Sequence, residues 1–128
     1  MRLVLSVLLA AAVAGPAFAA LAPEYYRKAR DEAAHVVVFE VHRVRAVRPA
    51  SGRGECQVTG KVESVERGSH YRVGGPITVK VPCIWPNAEM MAGPVMWQTP
   101  AGLKASRRAR AWMDAPGELA LYQYERLS

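Results

Sequence analysis

The chain contains 128 residues, 51% of them hydrophobic, and carries 17 lysines and arginines against 11 acidic residues, a formal net charge of +6. This length allows one small domain and excludes a multidomain enzyme. The surplus of basic side chains favours an acidic partner.

Residues 1–19 have the pattern of an export signal. Arg2 supplies the positive charge, residues 3–14 form the apolar run before a Gly-Pro pair, and Ala17-Phe18-Ala19 is a small-x-small cleavage site. We therefore predict a mature chain that begins at Ala20 and a secreted or periplasmic location. A membrane anchor is the competing interpretation, but the run is shorter than the roughly 20 residues that span a bilayer. We expect no membrane span after cleavage.

The first element of the mature chain is predicted to be a short amphipathic helix within residues 20–35. Pro23 suits the first turn of a helix. Apolar side chains then recur at the spacing of one helix face, at Tyr25, Tyr26, Ala29 and Ala33. Residues 36–128 are predicted to form a single barrel-like domain.

The pattern after the helix is typical of β-strands. From Val36 the apolar residues recur with a period of two, and a slip near His42–Arg43 indicates a β-bulge. Strict alternation over residues 56–63 and 77–83 predicts two further strands, each with one buried face.

The two cysteines predict a disulfide between these strands. If partner numbers sum to 139, Cys56 faces Cys83 and Val58 faces Val81, and every apolar position is paired. An oxidising compartment favours the bond, which is worth about 3–4 kcal/mol in the chain-entropy model. A redox or metal-ligand role for the cysteines is the alternative, although no further ligands are recognisable.

Two segments are predicted as long connections. Residues 66–76 contain three glycines, which we interpret as turn residues because the spacing of a phosphate-binding loop is missing. Residues 84–105 contain scattered prolines, methionines and tryptophans, and their bulky side chains are expected to plug the open end or side of a barrel. A Cu(I) site on Met90, Met91 and Met96 is the sharper alternative, but methionine more often fills gaps in a core.

The C-terminal region predicts a hairpin with a turn at residues 114–117. A register in which Met113 faces Leu119 and Ala111 faces Leu121 places basic and aromatic side chains together on the opposite sheet face. Such a surface suits an anionic or planar ligand. Cover by the N-terminal helix, or an ordinary solvated surface, is the competing interpretation. The predicted ligand-binding residues are Arg108, Arg110, Trp112, Tyr122 and Tyr124.

The strand pattern resembles that of small secreted OB-like barrels, including netrin-module and tissue-inhibitor-like domains. The residues that carry this resemblance are the run from Cys56 to Val62, Gly68, Gly74, the run from Ile77 to Val81 and the hairpin from Arg108 to Leu127. The resemblance implies a mostly β fold: a small OB-like antiparallel barrel or curved sheet, with one N-terminal helix and one disulfide.

No catalytic motif is recognisable. Ser51 and Ser69 are not in a nucleophile elbow, and the three histidines do not have the spacing of a zinc site. No pair of carboxylates stands in an apolar setting that raises one pKa. We therefore predict a protein without catalytic activity, metal or cofactor.

Two functional hypotheses follow. In the first, a monomeric exported module binds an anionic envelope component through the basic and aromatic sheet face, with Arg43 and Arg45 as further contributors. In the second, a protein-interaction or inhibitor module captures a secreted or periplasmic protein through residues 66–76 and 84–105. Binding of nucleic acid is ranked lower because the export signal removes the chain from most of it.

Overall fold

A computed structural model describes residues 21–90 and 92–128. The predicted export signal and its cleavage site lie outside these residues. None of the helices in this part of the chain is long and apolar enough to cross a membrane.

The structure is a closed five-stranded barrel preceded by one helix, which confirms the predicted fold class. Going round the barrel, the strand order is β1-β2-β3-β5-β4, and neighbours are antiparallel except β3 and β5. This order is that of an OB-like barrel. The elements are α1 (Pro23–Glu32), β1 (His35–Ala46), β2 (Arg53–Arg67), β3 (Pro76–Ile84), α2 (Pro100–Ala105), β4 (Arg108–Ala115) and β5 (Glu118–Arg126).

The barrel interior is filled by one face of each strand, as the alternation of apolar residues predicts. Phe39 is the largest fully buried side chain, and Leu103 of α2 is also completely enclosed. Both cysteines lie in the same core. The other buried members of this core are Val37, Val58, Val62, Ile77, Val79, Val81, Ala109, Ala111, Met113 and Tyr124.

The predicted bulge in β1 is present, with a register shift between Val41 and Arg43. The two strands approach closely at the same point. A Cβ atom added to Gly60 of β2 would lie only 1.9 Å from the carbonyl oxygen of Glu40. Glycine at this position therefore permits the tight curvature that closes a small barrel.

The predicted register between β2 and β3 is wrong by two residues. Cys56 lies opposite Val81, and Cys83 lies opposite Gly54. A shift by two leaves every side chain on the same sheet face, so alternation alone cannot distinguish the two registers. The disulfide is nevertheless formed, between diagonal neighbours whose Cα atoms are 5.7 Å apart. A Cβ atom added to Gly54, opposite Cys83, would lie only 2.7 Å from the ring of Pro49, so glycine is needed there for the packing of Pro49.

The predicted register between β4 and β5 is correct only next to the turn. Met113 lies opposite Leu119 as expected, but Ala111 lies opposite Tyr124 and not Leu121. Leu121 and Tyr122 adopt left-handed backbone angles, with φ of 45° and 62°. Because the resulting displacement is an odd number of residues, it turns the side chains beyond it to the other face of the strand.

The segment from residue 84 to residue 105 contains the short helix α2, which was not predicted. Thr99 caps it by accepting a hydrogen bond from the Gly102 amide at 3.0 Å, and Pro100 occupies the first turn. These are ordinary helix-start signals. Leu103 enters the core, and Trp85 packs against it while half-buried. These two side chains fill the barrel in the way that was expected of the segment.

Candidate binding face

The structure does not gather the five predicted ligand-binding residues on one surface. Arg108, Arg110 and Trp112 lie on the outer side of β4. Tyr124 is 7% exposed and belongs to the barrel core, where its ring makes an edge contact with Phe39. Tyr122 lines a cavity beside β3. The odd displacement in β5 is the reason, since it separates the tyrosines from the β4 arginines.

The two arginines of β4 are paired with carboxylates. Arg108 Nε donates to Glu63 at 2.8 Å. Arg110 binds Glu66 through Nε at 2.7 Å and Glu125 through Nη1 at 2.7 Å. The hydrogen bond with Glu66 is the largest of the effects that raise the pKa of Arg110. The positive charge predicted for this face is therefore balanced within the protein.

Helix α1 covers the rest of this surface. Trp112 is 9% exposed, and the guanidinium of Arg30 lies over its ring, 4.4 Å from the centroid. Arg30 Nε also donates to the side-chain oxygen of Gln123 at 2.7 Å. Arg67 donates to two carbonyl oxygens at the end of the helix, those of Arg30 and Ala33. We call this surface, formed by Arg108, Arg110 and Trp112 together with α1, the covered face.

A second contact joins α1 to the segment before α2. The hydroxyl of Tyr26 donates to the carbonyl oxygen of Pro94 at 3.0 Å. Two residues further on, Met96 Sδ accepts a hydrogen bond from the Gln123 side chain at 3.1 Å. The helix thus holds both β5 and the segment around residues 94–96.

Among residues 21–90 and 92–128, no helix covers the outer surface of β2, β3 and the second half of β1 in this way. The register places Arg45, Gln57 and Lys80 in one row across the three strands, and opposed residues in a sheet point to the same side. All three are exposed, and the neighbouring row has the same character. We call this surface the open face. Its side chains are Arg43, Arg45, Gln57, Thr59, Lys61, Thr78 and Lys80, and it is bordered by Glu40, which lies opposite Lys61 and is paired with His42.

The charge of the open face is not balanced in the way that the covered face is. Within residues 21–90 and 92–128, no carboxylate lies within 4.0 Å of the charged groups of Arg43, Arg45 or Lys61. Lys80 is paired with Glu118 at 3.0 Å, and this hydrogen bond raises the pKa of the lysine. The open face therefore presents three cations to solvent, interspersed with neutral hydrogen-bonding groups.

A cavity of about 310 Å³ adjoins the open face where β3 and β5 separate. Its charged rim consists of Glu55, Lys80 and Glu118, and two of these come from β2 and β3. Its apolar wall consists of Pro82, Val95, Trp97, Leu119 and Tyr122. These five side chains are all half-buried.

At the end of the barrel near the β4–β5 turn, two histidines and a tyrosine make edge contacts with one another. His35 lies 6.0 Å from both His70 and Tyr71, measured between ring centroids. The Tyr71 hydroxyl accepts a hydrogen bond from the Gly117 amide at 2.9 Å, and burial raises its pKa. The described residues contain no group of three or more histidine, cysteine or acidic side chains able to hold a metal ion.

The methionines proposed for Cu(I) can be followed only in part. Met91 lies outside the described residues. Met90 is 66% exposed and Met96 is 41% exposed, and the sulfur of Met96 is engaged by Gln123.

Comparisons with known proteins give no match: no family model, curated protein or solved structure corresponds significantly to this chain. The resemblance to netrin-module and tissue-inhibitor-like domains therefore stays a prediction.

Sequence analysis missed most of the open face, although a signal for it was available. Gln57, Thr59 and Thr78 are the outward members of two strands whose alternation was recognised. Only Arg43 and Arg45 were named, as additions to another surface. The pairing of Arg108 and Arg110 with carboxylates could not be recognised from the sequence. Glu63 and Glu66 lie on β2, and only the fold brings them near β4, with β1 in between.

Proposed function

We propose that this protein is an exported, non-enzymatic module that binds an acidic polymer of the cell envelope through the open face. The observation that carries the proposal is the pair Arg43 and Arg45 on an exposed strand surface, where no carboxylate of the described residues lies within ion-pair distance. The proposal moves the anionic site from the β4–β5 hairpin, where the charges are paired, to the β1–β2–β3 surface.

The arrangement of the open face supports an extended ligand. Arg43 and Arg45 are two residues apart on one strand, so their side chains are separated by about 7 Å along it. Neutral donors and acceptors lie beside them, and the hydroxyls of Thr59 and Thr78 are 3.3 Å apart. A polymer with repeated negative charges and hydroxyl groups can use both kinds of contact. OB-like barrels commonly bind chain-like ligands on the surface of their second and third strands.

Export is supported by three features of the sequence and one of the structure. The charged start, apolar run and small-residue site of residues 1–19 have the order of a signal peptide. The Cys56–Cys83 disulfide is of a kind that persists in oxidising compartments. An envelope location favours acidic envelope polymers as ligands over nucleic acids.

Retention on immobilised polyglutamate and polygalacturonate tests the proposal, with the disulfide-bonded protein applied at low salt and eluted with a salt gradient. Arg43→Gln/Arg45→Gln is expected to weaken binding to both polymers by roughly tenfold, since two exposed charge contacts are removed. Arg27→Gln/Lys28→Gln on the exposed side of α1 removes the same net charge and serves as the matched control.

The control variant should elute close to the unmodified protein. If both variants lose affinity equally, binding follows net charge alone and the open face is not a site. If neither polymer retains the protein at low salt, the proposed function is wrong.

Exposed apolar side chains favour a second candidate, a module that captures a protein through its loops. Val73 is 70% exposed in the connection between β2 and β3, and Met90 is 66% exposed in the segment before α2. This candidate predicts capture of one defined protein that resists high salt, is lost in Val73→Asp/Met90→Glu and is unaffected by Arg43→Gln/Arg45→Gln.

A further inference from the structure

The cavity beside the open face exists because β3 and β5 diverge after a single paired position, Lys80 with Glu118. The Lys80 amide donates to the Gly117 carbonyl at 3.0 Å. After this bond, β3 turns to another partner: Pro82 accepts from the Gln98 amide, and the Ile84 amide donates to Gln98. The seam of the barrel therefore opens between β5 and the strand-like segment around Gln98.

The backbone of β5 keeps this seam open. Leu121 and Tyr122 are consecutive non-glycine residues in the left-handed region, with φ of 45° and 62°. Residues other than glycine rarely adopt this backbone conformation, and it persists only where the surrounding contacts hold it. Its effect is to place Tyr122 on the cavity wall, which Trp97 of the neighbouring segment also lines.

The chemistry of the cavity has two sides. Trp97, Tyr122 and Leu119 belong to the apolar wall, against which the flat face of a ring can pack. The rim offers the carboxylates of Glu55 and Glu118 as hydrogen-bond acceptors, and the ammonium of Lys80 as a donor. A pyranose ring fits both sides, since it combines an apolar C–H face with an edge of hydroxyl groups.

The cavity is continuous with the cations of the open face. Lys80 lines the cavity and lies in the same row as Gln57 and Arg45. Glu55 lines both this cavity and a neighbouring depression that reaches Arg45. Neighbouring strands are about 4.8 Å apart, so a ligand whose ring occupies the cavity can extend its charged groups to Arg45 within two strand spacings.

We propose that this cavity is the ring-binding subsite of the open face and that the acidic polymer is therefore a polysaccharide of uronic acid type. One ring packs between Trp97 and Tyr122, its hydroxyls donate to Glu55 and Glu118, and the carboxylates of the following units lie on Arg45 and Arg43. This inference rests on the proposed function. An acidic peptide fits less well, because its carboxylates would approach those of the rim without bringing a set of hydroxyl donors.

The test compares two ligands by calorimetry: short oligogalacturonate and polyglutamate of matched charge. The unmodified protein is expected to bind the oligogalacturonate roughly tenfold more tightly, because one ring is buried in addition to the charge contacts. Trp97→Ala removes this preference and leaves the affinity for polyglutamate unchanged. Retained polyglutamate binding also shows that the variant is folded.

Two further variants make the comparison specific. Tyr122→Ala is expected to act as Trp97→Ala does, and it carries the test if Trp97→Ala does not fold. Tyr25→Ala is the matched control, because Tyr25 is 55% exposed on α1 and is not one of the residues that line the cavity. It should leave both affinities unchanged.

The outcomes separate this inference from the proposed function. Equal affinity for both ligands, without an effect of Trp97→Ala, overturns the ring-binding subsite while Arg43- and Arg45-dependent binding stands. Tighter binding of a glutamate–tyrosine copolymer than of oligogalacturonate, lost in Trp97→Ala, overturns the polysaccharide in favour of an acidic peptide. Binding that is indifferent to Arg43→Gln/Arg45→Gln removes the proposed function and this inference together.

Discussion

The covered face and the open face belong to the same sheet, and both carry arginines at alternate strand positions. On the covered face, Arg108 and Arg110 are held by carboxylates from β2 and β5. On the open face, Arg43 and Arg45 extend from β1 without such partners in the part of the chain that the structure describes. The same residue type therefore stabilises the fold on one side of the barrel and is available to a ligand on the other. Partner carboxylates, and not the arginines themselves, distinguish the two roles.

The largest expected effect concerns β2 and β3, the strands that the disulfide joins beneath the open face. Cys56→Ala/Cys83→Ala is expected to lower the free energy of unfolding by about 3–4 kcal/mol, because the disulfide restricts the unfolded chain. Urea denaturation followed by tryptophan fluorescence measures the change. The unmodified protein in a reductant should show the same midpoint. A change below about 1 kcal/mol would mean that packing alone holds β2 to β3.

Trp112→Ala tests the covered face, where the next largest effect is expected. The substitution removes a nearly buried ring from beneath α1 and should cost about 3 kcal/mol. Binding to acidic polymers should persist at temperatures where the variant is folded. Tyr25→Ala on the exposed side of the same helix is the control and should change stability by less than about 0.5 kcal/mol. Similar losses in both variants would contradict the specific docking of α1 on Trp112.

Tyr124 was predicted on the surface and lies in the core, so its substitution sharpens the contrast between surface and interior. Its hydroxyl is buried without a hydrogen-bond partner among the described residues. Tyr124→Phe is therefore expected to stabilise the protein by about 1 kcal/mol at neutral pH. Polymer binding should be unchanged, because Tyr124 does not reach the outer surface.

The alkaline unfolding of the same variant provides a second readout. Burial raises the pKa of Tyr124 above its ordinary value of 10.0, so the folded state keeps a proton that the unfolded state loses. This contribution to stability is complete below pH 10 and is lost as the pH rises beyond it. Tyr124→Phe should reduce the loss of stability at alkaline pH.

Tyr71→Phe, by contrast, should destabilise the protein at neutral pH because it leaves the Gly117 amide without its acceptor.

The smallest changes in stability are expected when either arginine pair is replaced by glutamine. Arg108→Gln/Arg110→Gln should lower the free energy of unfolding by about 1 kcal/mol, the scale of partly exposed ion pairs. Arg43→Gln/Arg45→Gln should change it by less than about 0.5 kcal/mol. In polymer binding the order reverses, and only the second pair matters. Thermal unfolding and salt elution of both variants test this difference directly. Equal behaviour of the two variants in both assays would show that the two arginine pairs do not have different roles.

The sequence predicts the barrel well because alternation of apolar residues reports which side of each strand is buried. The N-terminal helix, the bulge near Arg43 and the disulfide between Cys56 and Cys83 are all present in the structure. Alternation does not report register beyond odd and even positions. The register of β2 with β3 was for this reason wrong by two residues without any residue changing its side.

The candidate site could be predicted less well because one local conformation decides it. Leu121 and Tyr122 adopt left-handed backbone angles. In a sequence such angles are normally indicated by glycine or asparagine, and neither occurs at these positions. The displacement in β5 places Tyr124 in the core and Tyr122 at the cavity. The predicted basic and aromatic sheet face is therefore not formed. Ion pairs between β4 and β2 are equally invisible in sequence, because their partners are more than forty residues apart.

The hydrogen bond from Tyr26 to Pro94 makes the N-terminal helix part of the support of the cavity. Pro94 adjoins Val95 of the cavity wall, so the first turn of α1 anchors a surface that it does not itself line. A truncation that removes Tyr26 would leave the five strands and the disulfide in place but release this anchor. The N-terminal boundary of the chain is thereby coupled to the shape of a cavity that residues 54–122 line.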